Sequence, residues 1–229
     1  MNGPLYLPGE AGPAGATAAS QPSAPGSAAL LCDRDGTIIE NRSDYVREFA
    51  HVKLLPGAVQ ALRRVSAAGI SIVLLTNQSP IGRGILSRDH VLGIHRRLVD
   101  DLASAGVRIA GSFLCPHAPD RLCDCRKPAP GMVHAALGRF GLNASRTLMV
   151  GDAVEDMLAA RRGGVRGVMV RTGRGGAHAD RLAAHPEAAG TPVVPDLAAA
   201  VEFVHGLPAQ DPATPSGDPT RPPAAGPSS

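Results

Sequence analysis

The sequence predicts an α/β fold, a doubly wound and mostly parallel β-sheet with helices on both of its faces. Five short apolar stretches alternate along the chain with segments of helical periodicity. The stretch at residues 70–75 is apolar without interruption, which is typical of a strand that is covered on both faces. Polar residues follow these stretches where they end, and the carboxyl ends of parallel strands meet at one edge of a sheet.

The elements are predicted from apolar runs, helical spacing and turn residues. The strands are predicted at residues 28–32, 70–75, 109–114, 147–150 and 165–170. The helices are predicted at residues 56–69, 87–105, 131–140, 153–162, 179–184 and 197–205. Pro56 and Gly57 open the first helix, Gly69 closes it, and Ser87 suits the N-cap of the second.

The two ends of the chain differ in composition from the rest. Residues 1–27 and 208–229 are rich in Gly, Pro, Ala and Ser and have few large apolar side chains. Such segments cannot bury enough surface to offset the entropy of ordering, so we expect both to be disordered tails. Residues 28–207 are of a size that suits one domain.

The composition of the chain indicates which partners and which cellular compartment to expect. The net charge is +3, and the chain has two Tyr, four Phe and no Trp, too few aromatic residues for a base-stacking surface. We therefore expect no nucleic-acid partner. No secretory signal and no apolar run of about 20 residues is present, so we expect a cytoplasmic protein without a membrane partner.

The first predicted strand ends in Asp33-Arg34-Asp35-Gly36-Thr37. Two carboxylates two residues apart at such an edge can face one ligand, and Mg²⁺ prefers oxygen ligands of this kind. One Asp can then attack phosphorus while the other handles a proton. An ordinary Asp-Gly turn explains the stretch equally well when it is taken alone.

Other strand ends favour the active-site interpretation. Thr76 and Asn77 follow the second strand, Lys127 follows the loop after the third, and Asp152 follows the fourth. Three carboxylates, a hydroxyl, an amide and a lysine suit a phosphoryl group together with Mg²⁺. Lys127 is one of only two lysines, although a surface pair with Asp124 is a structural alternative for it.

A cluster of cysteines and one histidine predicts a zinc site. Cys115, His117, Cys123 and Cys125 lie within eleven residues, and three Cys with one His form a tetrahedral zinc set. All four positions are filled by protein side chains, so the zinc is expected to be structural. A redox or incidental cluster is the alternative.

These motifs resemble those of the haloacid dehalogenase superfamily of phosphatases. The residues that carry the resemblance are Asp33 to Thr37, Thr76-Asn77-Gln78-Ser79, Lys127 and Gly151-Asp152. The heptose 1,7-bisphosphate 7-phosphatases are more similar still, through Asp44-Tyr45-Val46, Cys115-Pro116-His117 and residues 123–128. The resemblance spans residues 28–205 and implies a haloacid dehalogenase-like fold with a zinc loop in place of a large cap domain.

The resemblance implies a two-step, Mg²⁺-dependent reaction. Asp33 attacks the 7-phosphate of the heptose bisphosphate, and Asp35 first protonates the leaving group and then activates water. Mg²⁺ lies between Asp33, the Asp35 backbone carbonyl and Asp152, and Thr76 and Lys127 assist. The product is a heptose 1-phosphate for nucleotide-activated heptose synthesis. Substrate contacts are expected from Asn41, Asp44, Tyr45, Thr76, Asn77, Gln78, Ser79, Arg126 and Lys127.

Two alternatives remain at this point, and two acidic residues receive a structural interpretation. Five residues separate His117 from Cys123, as in histidinol-phosphatases, although Ser79 favours the heptose enzymes. A catalytically silent binding or regulatory protein is the other alternative. Ala153 stands where some heptose phosphatases have a lysine that reaches the substrate. Glu155 and Asp156 are interpreted as acidic residues that favour a helix N-terminus, and a role near the metal is the alternative for Asp156. A small phosphorylated sugar is the expected partner of a monomeric chain.

Overall fold

The computed structural model describes residues 3–9 and 27–206. Their strands are β1 Leu5–Pro8, β2 Ala29–Cys32, β3 Ser71–Asn77, β4 Ile109–Cys115, β5 Thr147–Gly151, β6 Arg166–Val170 and β7 Val193–Val194. Their α-helices are α1 Ala58–Ala67, α2 Ser79–Gly82, α3 Arg88–Ser104, α4 Gly131–Phe140, α5 Val154–Arg162, α6 Gly175–Ala183 and α7 Leu197–His205.

The seven strands form a single sheet in the order β1-β4-β3-β2-β5-β6-β7. Every neighbouring pair is parallel except β1 with β4, which is antiparallel at one edge. The central strand β2 pairs with β3 and β5, with Leu31 opposite Val73 on one side and Met149 on the other. The predicted doubly wound, mostly parallel α/β sheet is confirmed.

Helices cover both faces of the sheet, so the central strand is buried from both sides. Leu30 packs in a core with Leu62 of α1 and Val201 of α7, whereas Leu31 packs in a second core with Met132 of α4. Because successive side chains of a strand point to opposite faces, a strand between two helical layers needs apolar residues at every position. This explains the continuous apolar runs of the central strands.

The prediction of a disordered tail at residues 1–27 is wrong for Leu5–Pro8, which form the edge strand β1. Leu5 and Leu7 are buried, and the Tyr6 ring lies 5.2 Å from that of Phe113. The strand was missed because its apolar part spans three residues within a segment rich in Gly and Pro. The remainder of that tail, residues 10–26, and the predicted tail at 208–229 lie outside the described residues.

Other differences are small. Helix α6 begins at Gly175, four residues before the predicted start, and the short elements α2 and β7 were not predicted. The described ranges contain no separate cap domain, as expected from the zinc-loop resemblance. Within these ranges, no helix combines the length and the apolar character that crossing a membrane requires.

Candidate active site

A polar cleft of about 560 Å³ lies at the carboxyl ends of the central strands. Residues directly after β2, residues at the end of β3 and residues at the start of α5 contribute to its wall, as the strand-end argument predicted. Most of the predicted site residues line it, namely Asp33, Asp35, Asn41, Tyr45, Thr76, Asn77, Gln78, Ser79, Arg126 and Lys127. Asp152 is fully buried beside this wall.

Lys127 lies at the centre of the buried charges. Its ammonium group donates to Asp33 Oδ1 at 2.5 Å, to the carbonyl of Leu75 at 2.7 Å and pairs with Asp156 Oδ1 at 2.6 Å. Burial opposes the charge of Lys127, but Asp156 and Asp33 outweigh burial and raise its pKa. The alternative of a surface pair with Asp124 is wrong, because Lys127 is 3% exposed and its partners lie inside the cleft.

Asp156 lies in this site, which favours the alternative of a role near the metal over the helix-dipole interpretation. It is 2% exposed, pairs with Lys127, and accepts a hydrogen bond from the Ala153 backbone N–H at 3.0 Å. A side chain at Gly151 would collide with it, since an added Cβ would lie 2.4 Å from the Asp156 carboxylate. Gly151 therefore keeps the space in which Asp156 reaches Lys127.

Asp33, Asp152 and Asp156 form what we call the acidic cluster. One oxygen from each lies within 4.8 Å of the others. Burial raises the pKa of Asp33 to about 8, against the lowering effect of Lys127, and burial together with Asp156 raises the pKa of Asp152 to about 6. Both shifts arise mainly because burial disfavours the charged form of a carboxyl group, and the neighbouring carboxylates of the cluster add to them.

The acidic cluster fits a divalent cation. Asp33 Oδ2 and Asp152 Oδ1 are buried and have no hydrogen-bond partner among the described residues. Unpaired carboxylate oxygens inside a protein cost folding free energy. They are suitable ligands for a hard cation such as Mg²⁺. The Asp35 carboxylate is not part of this cluster.

Asp35 is held in place by three neighbouring side chains. Arg34 donates to both of its oxygens at 2.9 and 3.0 Å, Gln78 donates at 3.1 Å and Thr76 at 3.3 Å. Burial would raise the pKa of Asp35, but the Arg34 charge and these hydrogen bonds lower it below its usual value. The free protein therefore holds Asp35 as a carboxylate.

Asn77 performs a structural task beside the cleft. Its amide donates to the Lys127 carbonyl and its side-chain oxygen accepts from the Lys127 backbone N–H, both at 3.1 Å. This pair of hydrogen bonds ties the end of β3 to the segment that carries Lys127. Both polar atoms of the Asn77 side chain are therefore hydrogen-bonded to the backbone of Lys127.

The loop after β2 contributes Asn41 and Tyr45 to the cleft wall, but not Asp44. The Asp44 carboxylate is exposed and pairs with Arg42 at 3.0 Å. Tyr45 has a φ of 67°, a left-handed conformation that is uncommon for residues other than glycine. Its carbonyl accepts from Arg42 at 3.3 Å. The backbone turns at Tyr45, so the two neighbouring side chains take different directions.

Arg174 was not identified from the sequence, although it lines the cleft. Its backbone N–H donates to Asp152 Oδ2 at 2.8 Å, and its guanidinium Nε lies 3.5 Å from the same oxygen. The loop is held close because Gly173, with a φ of 56°, packs against Gly36, where an added Cβ would lie 2.5 Å from the Gly36 Cα. The position of Thr-Gly-Arg-Gly directly after a predicted strand was the available signal.

The four predicted zinc ligands, which we call the cysteine-histidine cluster, converge in the loop after β4. Their ligand atoms lie within 4.8 Å of one another. The sulfur of Cys123 lies 3.8 and 3.7 Å from those of Cys115 and Cys125, and His117 Nδ1 lies 3.5 and 3.3 Å from the latter two. Ligands on a tetrahedral zinc would be separated by about 3.8 Å between sulfurs and about 3.5 Å between sulfur and nitrogen. The set therefore fits zinc.

The electrostatics of this loop agree with metal ligation. The four cysteines of the chain are all free thiols. The hydrogen bond from Cys125 lowers the pKa of Cys115 to about 5 and raises that of Cys125, so without a metal these two sulfurs share one proton and Cys115 is the thiolate. The thiolate is the form of cysteine that binds a metal.

The cysteine-histidine loop packs directly against the cleft. An added Cβ at Gly82 of α2 would lie 2.4 Å from the Ala118 nitrogen and 2.7 Å from the Pro116 carbonyl, so only glycine allows this approach. Arg126, which lines the cleft, donates to the His117 carbonyl at 3.3 Å. The fold of the loop thus determines where one wall of the cleft lies.

Comparison with known proteins places this arrangement in a family. The family described as HAD-hydrolase-like matches residues 124–200. The D-glycero-β-D-manno-heptose-1,7-bisphosphate 7-phosphatase of Pseudomonas aeruginosa is 36% identical over 170 residues, which are 74% of this chain and 93% of that protein. The same enzyme of Bordetella bronchiseptica is 35% identical over 173 residues, 76% of this chain and 95% of that protein.

The fold is similar to that of a solved relative. The crystal structure of D,D-heptose 1,7-bisphosphate phosphatase from B. bronchiseptica, complexed with magnesium and phosphate, matches with a TM-score of 0.72 and 35% identity. The match covers 78% of this chain and 98% of that one.

Proposed function

Because the chain belongs to the D-glycero-D-manno-heptose 1,7-bisphosphate 7-phosphatase family of haloacid dehalogenase-like hydrolases, we propose that it removes the 7-phosphate of this sugar. The product is a heptose 1-phosphate, the form needed for nucleotide-activated heptose synthesis. The observation that supports the chemistry best is the position of Asp33, which lies between Lys127 and Asp152 with Asp35 two residues away.

The first step of the proposed reaction forms an aspartyl-phosphate. An Asp33 carboxylate oxygen bonds to phosphorus while the bond between phosphorus and the sugar oxygen breaks, and Asp35 gives a proton to that oxygen. The free protein lowers the pKa of Asp35, so this residue is a carboxylate before the substrate binds. To act as the acid, Asp35 must therefore take up a proton when the substrate is bound. A phosphoryl dianion next to Asp35 raises the pKa of this carboxyl group, which favours the protonated form.

The second step regenerates the nucleophile. Asp35 takes a proton from water, the water oxygen bonds to phosphorus, and the bond between phosphorus and Asp33 breaks with its electron pair going to Asp33. Lys127 and Thr76 donate to the phosphoryl oxygens in both steps, which stabilises the charge that develops on them. These roles fit the positions of all four side chains in the cleft wall, where Asp33, Thr76 and Lys127 are buried and the Asp35 side chain is 21% exposed.

Magnesium is the proposed cofactor of the acidic cluster. Asp33 and Asp152 would hold it through their unpaired oxygens, and Asp35 through its backbone carbonyl. When bound, it supplies positive charge that offsets the buried carboxylates and the incoming phosphate. With that charge in place, Asp33 stays ionised at neutral pH, as a nucleophile must.

Zinc is the proposed occupant of the cysteine-histidine cluster, with a structural role. Four protein ligands leave no open coordination position for water or substrate. A short polar loop without a core of its own depends on its metal to fold. Through Gly82 and Arg126, the folded loop would set the width of the cleft.

The remaining predicted contacts are assigned to the sugar and to the second phosphate. We infer that Asn41, Tyr45 and Ser79 contact the sugar, and that Arg126 presents its guanidinium to the phosphate that is not removed. Asp44 is left out because its carboxylate lies off the cleft wall.

The partner and setting follow from the same chemistry. A small phosphorylated sugar is the proposed substrate, and the chain is expected to act as a monomer. We place the reaction in the cytoplasm because free cysteines and a thiolate metal cluster are stable in a reducing compartment.

Side-by-side turnover tests the proposal. The kcat/KM values for both anomers of the heptose 1,7-bisphosphate would be compared with those for fructose 1,6-bisphosphate and histidinol phosphate. We expect the heptose bisphosphates to be the best substrates, with the β anomer preferred as the names of the relatives suggest. Phosphorus NMR should show that the 1-phosphate is retained. Equal kcat/KM for histidinol phosphate, or loss of the 1-phosphate, would contradict the proposal.

A further inference from the structure

Arg34 stands between the two aspartates of the proposed reaction, yet its side chain has no part in that reaction so far. The residue is 2% exposed. Its backbone carbonyl accepts hydrogen bonds from the N–H groups of Ile38 and Ile39 at 2.9 and 3.1 Å. The loop after β2 thus turns around Arg34, which fixes the point from which its side chain extends.

The guanidinium of Arg34 donates two hydrogen bonds to Asp35. Nε donates to Asp35 Oδ2 at 3.0 Å and Nη2 donates to Oδ1 at 2.9 Å, which is the two-pronged geometry that a planar guanidinium and a carboxylate favour. Arg34 lies in the wall of the cleft, but with 3% of its side chain exposed it has almost no surface to offer a ligand.

Gln78 is the second residue that donates a hydrogen bond to the Asp35 carboxylate. Its side-chain nitrogen donates to Asp35 Oδ2 at 3.1 Å and to Thr76 Oγ1 at 2.8 Å. Its backbone N–H donates to the Cys115 carbonyl at 2.7 Å, which anchors the residue to the end of β4. Gln78 is 5% exposed, and its amide nitrogen is directed to Asp35 and Thr76.

The nearby His95 does not compete with Asp35 for the guanidinium of Arg34. The ring is fully buried in α3, and neither nitrogen has a hydrogen-bond partner in the described part of the chain. Burial and the nearby Arg34 lower its pKa to about 3, so the ring is neutral and does not repel the guanidinium.

We propose that Arg34 and Gln78 are positioning residues that hold the Asp35 carboxylate for its acid–base work, and that neither is a contact to the substrate. This inference rests on the proposed phosphatase reaction and assigns two residues within it. Water attack on the aspartyl-phosphate needs Asp35 as an oriented carboxylate that accepts one proton from water. The three hydrogen bonds from Arg34 and Gln78 keep Asp35 in that form and orientation while Thr76 donates to the phosphoryl group.

The consequence is a selective slowing of the second step. With 4-nitrophenyl phosphate the leaving group departs without a proton, so formation of the aspartyl-phosphate does not depend on Asp35. Hydrolysis of the aspartyl-phosphate does depend on it. Loosening Asp35 should therefore allow the phosphorylated chain to accumulate, whereas loss of a substrate contact would raise KM and slow both steps.

Rapid-mixing kinetics with 4-nitrophenyl phosphate and Mg²⁺ would compare the parent with Arg34→Lys and Gln78→Leu. Lysine keeps the charge but cannot engage both carboxylate oxygens, and leucine removes the Gln78 hydrogen bond to Asp35. We expect a burst of nitrophenolate close to one per chain, followed by turnover slower by about 10²-fold for Arg34→Lys and about 10-fold for Gln78→Leu. Mass spectrometry after acid quenching should show one added phosphoryl group.

Arg108→Lys is the matched control, because this arginine donates to the Ser66 carbonyl away from the cleft. It should behave as the parent does. A raised KM without a burst, or unchanged rates in both cleft variants, would overturn the proposal. If Arg34→Lys does not fold, the result for Gln78→Leu decides alone. An inert parent would instead contradict the proposed function itself, and the positioning roles with it.

Discussion

The acidic cluster and the cysteine-histidine cluster both gather ligand atoms within 4.8 Å, but they are assembled differently. Asp33 and Asp152 follow β2 and β5, so the sheet brings together residues that are distant in sequence. The ligands from Cys115, the last residue of β4, to Cys125 in the loop that follows come from one short segment of eleven residues. The acidic cluster also keeps two oxygens without partners in the described residues and adjoins the cleft, whereas the other cluster has a closed set of four ligands.

We expect the acidic cluster to serve the reaction and the cysteine-histidine cluster to serve the stability of the fold. A site that a rigid sheet assembles can hold unpaired charge, because the surrounding core stabilises the fold without it. A site whose ligands all lie on one short segment stabilises mainly that segment. Substitutions in the acidic cluster should therefore remove activity and spare the fold. Substitutions in the cysteine-histidine cluster should weaken the loop and affect activity only through the shape of the cleft.

The largest effect is expected from Asp33→Asn. The amide cannot attack phosphorus, so turnover of 4-nitrophenyl phosphate should fall below detection while the circular dichroism spectrum stays unchanged. Asp100→Asn, at an exposed position of α3, is the control and should retain parent activity. Appreciable activity in purified Asp33→Asn would assign the attack to another group.

The next effect is expected from Lys127→Arg. The ammonium group fits between Asp33, Asp156 and the Leu75 carbonyl, and a wider, planar guanidinium would enter the space of the phosphate. The value of kcat should drop by about 10²-fold or more, as for other lost transition-state contacts. Arg108→Lys serves as the reverse exchange at a distant site. A kcat near that of the parent would refute the proposed role of Lys127.

Replacing Cys123 with Ser tests the other half of the comparison. Loss of one thiolate should release zinc, lower the melting temperature and raise KM, since the loop packs on Gly82 and positions Arg126. The Mg²⁺ concentration that supports half-maximal activity should change little. Cys32→Ser is the control, because this buried thiol is in the core and outside the cluster. A large change in the Mg²⁺ requirement of Cys123→Ser would mean that the two sites are not separate.

The smallest effect is a pH dependence of stability in protein freed of Mg²⁺ with its zinc left in place. Folding raises the pKa of Asp152 to about 6 and of Asp33 to about 8, so the folded state binds more protons than the unfolded state in this range. Stability should therefore be lost as pH rises from about 5 to about 8. For a protein of this size, each kcal/mol lost lowers the melting temperature by about 2 to 4 °C.

Added Mg²⁺ should remove most of that dependence, because the cation stabilises the ionised carboxylates. Thermal melts at several pH values, with and without Mg²⁺, provide the measurement. A melting temperature of the Mg²⁺-free, zinc-containing protein that rises with pH would contradict the assigned pKa shifts. Asp33→Asn should show a weaker dependence than the parent, since one of the two titrating groups is gone.

The same contrast explains which features could be predicted from the sequence. The cysteine-histidine cluster was predicted from local spacing alone, because all its ligands lie on one loop. Asp33 and Asp152 were predicted from their positions after apolar strands. Asp156 was not assigned to the site, because an acidic residue in the first turn of a helix has a local explanation that does not require a tertiary contact.

Other residues depend on packing that no local pattern reveals. Arg174 reaches Asp152 only because Gly173 and Gly36 allow two loops to touch. Asp44 turns away from the cleft because Tyr45 adopts a left-handed backbone conformation. Strand β1 was missed because three apolar residues among Gly and Pro carry too little periodicity to predict a strand.

Metal analysis combined with selective removal tests the division between the two clusters most directly. Purified protein would be dialysed against a mild chelator, analysed for zinc and magnesium, and assayed after each metal is returned separately. We predict one zinc per chain retained after dialysis, no activity without Mg²⁺, and full activity when Mg²⁺ alone is restored. Zinc-free protein that is stable and fully active, or activity restored by zinc in place of magnesium, would contradict the account.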